Sequence, residues 1–126
     1  MENLNNNLPI YIKIVSELKD LIISGDIKND EQLPSTTSIS RKYEININTV
    51  NKSINMLVDE GLVYKKRGIG MFVKKGAQEK LIKERRKTFK EYYVEAVLLE
   101  ARRLNYTAKE LQQLIKETNT ELGGQK

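Results

Sequence analysis

The sequence predicts a mainly α-helical fold carrying one small β-hairpin. Three observations point there. Apolar residues recur every three to four positions through most of the chain, the period shortens to that of strands only around residues 62–73, and glycine or proline marks the joins. The order helix, helix, turn, helix, hairpin is that of a winged helix-turn-helix domain, followed here by a short two-helix carboxy-terminal region.

Residues 1–7 (MENLNNN) are polar and uncapped and are expected to form a disordered leader. Pro9 suits a helix start, because the N–H it lacks has no partner there. Ile10, Ile14, Leu18, Leu21 and Ile22 then make one apolar face, ended by Ser24-Gly25. Residues 26–34 connect to Leu33-Pro34, after which Ser35 or Thr36 caps a second helix that turns Ile39 and Tyr43 inward. Glu44-Ile45-Asn46 breaks it. Asn46 caps a third helix whose apolar face is Val50, Ile54, Leu57 and Val58, closed by Asp59-Glu60-Gly61. Leu62-Val63-Tyr64 and Met71-Phe72-Val73 are the strands of the hairpin, joined by residues 65–70. The first domain is thus expected over residues 8–76.

Beyond Gly76 the composition shifts to Glu, Lys, Arg and Leu. Residues 78–104 read as one helix of about 40 Å at ~1.5 Å per residue. Asn105-Tyr106 breaks it. Thr107-Ala108-Lys109-Glu110 has the spacing of a capping box and opens a shorter helix with Leu111, Leu114 and Ile115 on one side. Residues 77–120 are therefore expected to form a second, helical region, and residues 123–126 a frayed tail.

Composition excludes several classes of chemistry. The 126 residues include no cysteine and no histidine, which removes disulfides, thiol nucleophiles, imidazole bases and the usual zinc or copper ligands. No metal site, cofactor or catalytic residue is expected, and no enzyme. Most acidic residues sit among Lys and Arg at helical spacing, which is the pattern of a solvated face. No apolar run approaches the ~20 residues of a membrane span, and the amino terminus lacks a signal-peptide layout, so a cytoplasmic protein without a membrane partner is expected.

Charge is distributed unevenly. Residues 1–40 hold three Lys/Arg against six Asp/Glu, a sum of −3, whereas residues 41–75 hold eight against three, a sum of +5. A basic block beside an acidic one points to a surface aimed at a polyanion.

Within the basic block, YKKRGIGMFVKK (residues 64–75) places a Gly-x-Gly behind Lys65, Lys66 and Arg67. A nucleotide-binding loop of this kind opens a helix, whose amino terminus supplies amides and dipole to the phosphates. Here Gly70 runs into a strand, and Val73 stands where the dinucleotide pattern needs its third glycine. The hairpin reading accounts for each residue type: glycines permit the turn, and the cations contact phosphate without reading sequence. A charged run that merely guards a hairpin edge is the bland alternative, and the adjacent helix-turn-helix pattern outweighs it.

The third helix is the candidate reader. Its outward residues are Ile47, Asn48, Thr49, Asn51, Lys52 and, one turn on, Asn55. Asn can bond the N6/N7 edge of adenine with both ends of its amide, while Ile47 or the Thr49 methyl can pack on a thymine methyl. Asn48 or Thr49 serving only as a helix cap would not explain a whole polar face.

Pro9-Ile10-Tyr11, Leu33-Pro34-Ser35, Asn48-Thr49-Val50, Leu57, Glu60-Gly61-Leu62 and Arg67-Gly68-x-Gly70-x-Phe72-Val73 together resemble the GntR family of bacterial transcription regulators over residues 8–74. The brief helical tail resembles the YtrA-type branch, whose members carry a short two-helix dimerisation region. The resemblance implies a homodimeric DNA-binding repressor of its own operon, and often of transporter genes, with Ser35, Thr49 and Gly68 at the DNA. The candidate DNA-binding set is Ser35, Thr36, Thr37 and Arg41 around the second helix, Asn46, Ile47, Asn48, Thr49, Asn51 and Lys52 on the third, and Lys65, Lys66, Arg67 and Gly68 on the hairpin. The family usually has Arg at the position of Thr37 and often at that of Ile47. Their absence implies lower affinity or an A/T-rich palindromic operator. Glu44 stands where Gly is commoner.

On a seven-residue frame Ile82, Phe89 and Ala96 share one core position and Tyr92 and Leu99 the other, with Arg85 interrupting the seam. These five residues are the expected dimerisation seam. Packing against the helix at 107–118 is the alternative, and both are expected, one on each side. Tyr92 and Tyr93 as an effector pocket is outweighed by their ordinary structural use. The alternative function is a winged-helix module that binds a protein or RNA.

Overall fold

The computed structural model describes residues 7–123; of the leader expected over residues 1–7 and the tail expected over 123–126, residues 1–6 and 124–126 lie outside the described residues. The chain divides into two compact units, Met1–Lys83 and Glu84–Lys126.

In the first unit, α1 (Ile10–Ser24) follows Pro9 and buries Ile14, Val15, Leu18 and Ile22. Gly25, at φ 83°, closes it by donating its N–H to Ile22 O. Ser35 caps α2 (Thr36–Tyr43), its Oγ accepting from Ser38 N at 3.0 Å. Glu44 then adopts the left-handed conformation, φ 54° and ψ 48°, and donates its N–H to Ser40 O. The tight turn expected of glycine is thus made by a residue that bears a side chain, against the usual steric preference.

Asn46 caps α3 (Ile47–Asp59), and Val50, Ile54 and Leu57 are buried as expected. Val58 is not: it is 40% exposed, and Ser53 is fully buried in its place. The two positions lie at opposite borders of the apolar stripe. Burying Ser53 is tolerated because its Oγ donates to Tyr11 O at 2.8 Å, joining α3 to α1 and leaving no orphaned hydroxyl.

Strands β1 (Val63–Lys66) and β2 (Gly70–Val73) pair antiparallel, with Val63 opposite Val73 and Lys66 opposite Gly70. Both strands reach closer to the turn than the apolar runs indicated, so Lys65 and Lys66 belong to β1. Residues 30–33, read as plain connector, add a third line of pairing along β2: Asp30 N donates to Val73 O, Val73 N to Glu31 O, and Leu33 N to Met71 O. Tyr64 OH also donates to Asp30 Oδ1 at 2.8 Å, a bond that raises the Tyr64 pKa by favouring its neutral form.

The opening of α4 (Ala77–Phe89) completes this unit. Ala77 and Leu81 join the core of α1, α3 and the hairpin. Gln78 Nε2 donates to Ile23 O at 3.0 Å, and Lys80 Nζ donates to Glu60 O.

In the second unit the expected helix runs on without a break to Arg103 but carries an internal change of pitch. Five residues, Lys90–Val94, form a π-helical turn between α4 and α5 (Glu95–Arg103). One extra residue in a turn offsets later positions by about 100°. Asn105, at φ 63°, ends α5. The capping box of α6 (Ala108–Glu121) is complete: Glu110 N donates to Thr107 Oγ1, and Thr107 N donates to Glu110 Oε1. An apolar groove between α5 and α6 is lined by Ala96, Val97, Ala101, Leu104, Leu111 and Leu114.

Candidate nucleic-acid interface

The amino-terminal turns of α3 present one polar face. Asn46 Oδ1 accepts from Asn48 N at 2.8 Å, so Asn46 takes the capping role and the Asn48 side chain is left without it. Asn48, Asn51, Lys52 and Asn55 are exposed, Thr49 is half-buried, and Ile47 is 42% exposed. The amide side chains of Asn48, Asn51 and Asn55 have no hydrogen-bond partner among the described residues. They keep both donor and acceptor, which is what a two-pronged bond to a base edge needs.

Beside that face stands the hairpin. Ile69 N donates to Lys66 O at 3.0 Å across a turn in which Gly68 has φ 76°. Gly70 opens β2 rather than a helix, so the Gly-x-Gly has no helix amino terminus to offer a nucleotide. A groove between α3 and the hairpin gathers Asn51, Asn55, Lys65, Lys66, Gly68 and Ile69. Asn55, read as outward-facing but outside the candidate set, belongs with them geometrically.

Two cations of this surface, on α3 and the hairpin, are held on aromatic rings. Lys52 Nζ lies 3.9 Å from the Tyr11 ring centre and Lys66 Nζ 4.5 Å from that of Phe72. Such contacts restrain a long side chain without neutralising it. Among the described residues Arg41, Lys52, Lys65, Lys66 and Arg67 make no salt bridge, so their charge faces outward.

The residues around α2 are not part of this groove. Ser35 is engaged as a cap, Thr36 is half-buried, and Thr37 and Arg41 are exposed. Ser35 accepts a hydrogen bond in that role and retains its own hydroxyl proton.

Comparison with known proteins accords with this geometry. The family described as bacterial regulatory proteins, gntR family, matches residues 10–73. The transcriptional repressor NagR of Bacillus subtilis (strain 168) is 35% identical over 80 residues, 64% of this chain but 33% of that protein, so this chain spans only a third of its length. The repressor YtrA of the same organism is 27% identical over 121 residues, covering 96% of this chain and 92% of that protein. Among solved structures, a GntR-family chain from Bacteroides thetaiotaomicron superposes with a TM-score of 0.69 at 30% identity, over 91% of this chain and 100% of that one. The DNA-binding domain of AraR, solved in complex with operator ORX1, gives a TM-score of 0.51 at 32% identity, over 52% of this chain and 80% of that one. With its helix order, hairpin and core in place over the matched residues, this chain belongs to the gntR family of bacterial regulatory proteins.

Proposed function

We propose that the protein is a sequence-specific DNA-binding transcriptional repressor that acts as a homodimer, as the resemblance implied. The observation that carries this reading is the single surface on which the unpartnered amides of α3 adjoin the basic hairpin, in a domain whose AraR counterpart is solved on an operator. In this reading Asn48, Asn51 and Thr49 meet base edges in the major groove. Asn46 and Ile47 approach at the helix start. Ser35, Thr36, Thr37, Arg41, Lys52, Lys65, Lys66, Arg67 and Gly68 meet the backbone and position the domain.

The homodimer rests on the second unit. Phe89, Tyr92, Val97, Leu98 and Leu99 are all more than a third exposed, and Ala101 is the one buried apolar residue there among those described. So small a unit rarely stands without further burial, and a second copy of the same face supplies it. The A/T-rich palindromic operator follows from the shortage of arginine on α3 and from two-fold symmetry.

Titrating salt against affinity for duplex and single-stranded DNA tests the reading. Five cations per subunit, Arg41, Lys52, Lys65, Lys66 and Arg67, displace counterions at ~0.9 per contact, giving a log–log slope of about −9 for a dimer on duplex. A nearly flat slope, or equal binding of single strands, contradicts it and favours a protein- or RNA-interaction module.

A further inference from the structure

The main-chain pairing of residues 30–33 along β2 stops at Met71 O, short of the turn. A side chain carries it further. Gln32 Nε2 donates to Ile69 O at 3.0 Å, reaching the hairpin tip from outside the hairpin. Gly70 makes room for it: a Cβ at position 70 would lie 2.4 Å from Gln32 Nε2, and the φ of +148° there is itself unfavourable for any other residue. Gly68 serves a different purpose. Nothing lies within 4 Å of where its Cβ would stand, and its φ of +76° answers to the turn alone.

The tip has few other restraints. Ile69 is 64% exposed, and Lys65, Lys66, Arg67 and Gly68 are exposed as well. A basic tip that must be ordered on binding loses affinity to that ordering, and a tip already fixed does not.

We infer that Gln32 is a positioning residue, which fixes the hairpin tip and with it Arg67 for contact with duplex DNA. The inference rests on the DNA-binding reading. Its specific content is that Gln32 acts through the tip and not by touching the DNA itself.

A double-mutant cycle on the full chain tests it, with Gln32→Ala, Arg67→Ala and the pair titrated against a random-sequence duplex. Gln32→Ala is expected to weaken binding about fivefold, the scale of one hydrogen bond. Arg67→Ala is expected to cost a smaller factor in the Gln32→Ala background than in the wild type, because the cation is already displaced. Backbone relaxation of the free protein should show the Gly68 and Gly70 amides more mobile in Gln32→Ala. Wild-type affinity in Gln32→Ala, or the same factor for Arg67→Ala in both backgrounds, overturns the inference. Unchanged tip mobility does so too. A wild-type protein that does not bind duplex overturns the DNA-binding reading instead, and the relaxation measurement still decides whether Gln32 orders the tip.

Discussion

The two units of this chain use similar apolar residues to opposite ends. Met1–Lys83 closes fourteen of them into one core, whereas Glu84–Lys126 leaves Phe89, Tyr92, Val97, Leu98, Leu99 and Ile115 exposed. Their helices have comparable lengths, and α6 has the more complete cap. The difference lies in geometry: α1, α2, α3 and the hairpin enclose a volume, and two helices and a π-turn do not. Local helix signals therefore say where helices form, and closure decides whether they are sufficient alone.

The largest expected effect separates the units. Phe89→Asp places a charge on the exposed face of the second unit and should cost about 3–5 kcal/mol of association by leaving that charge buried and unpaired. Sedimentation should then show a monomer with a near-normal helical spectrum. A Phe89→Asp protein that remains a dimer would make the face internal packing. In the first unit, Leu57→Ala empties a fully buried site and should cost about 2–5 kcal/mol in urea unfolding. That loss should appear equally at high and low protein concentration in the Phe89→Asp background, since this core needs no partner.

Binding should divide within the first unit alone. Asn51→Ala is expected to cost about 1–3 kcal/mol on the selected site and little on random DNA, while Arg67→Ala weakens all duplexes alike. Equal losses for Asn51→Ala on both would reassign it to the backbone. Glu44→Gly should relieve the left-handed turn and stabilise the domain by ~1 kcal/mol in the same urea assay; a loss would show that the Glu44 side chain contributes more than its conformation costs.

The smallest effect belongs to the cap of α6. Backbone and side-chain bonds from Thr107 hold the Glu110 carboxyl below its usual pKa. Its contribution is present above the unfolded-state pKa and is lost as pH falls through the lowered folded value. Helicity of α6 should decline in acid, and Glu110→Gln should flatten that decline.

Much of the first unit was legible because periodicity and punctuation agree there. Pro9, Ser35 and Asn46 each stand where a helix begins, and Gly25 and Gly61 where one ends. What stayed hidden depends on neighbours distant in sequence. Asp30, Glu31 and Gln32 pair through their backbone, so their polar side chains show no strand period. Ser53 and Val58 border the same stripe, and the bond from Ser53 to Tyr11 O, distant in sequence, is what lets the hydroxyl be buried. The π-turn at KEYYV contains neither glycine nor proline, so nothing in its residues marks the change of helical pitch. The polar face of α3 was readable from its spacing. The third line of pairing beside the hairpin, and Gln32 within it, was not.

The most direct test of the account is to select bound sites from random duplexes with the full chain. Two readers held by the second unit should return an inverted repeat, with half-sites centred about one helical turn, ~34 Å, apart or at a multiple of it. A pool without enrichment, or a single motif with no symmetric partner, would contradict a dimeric reader of DNA sequence.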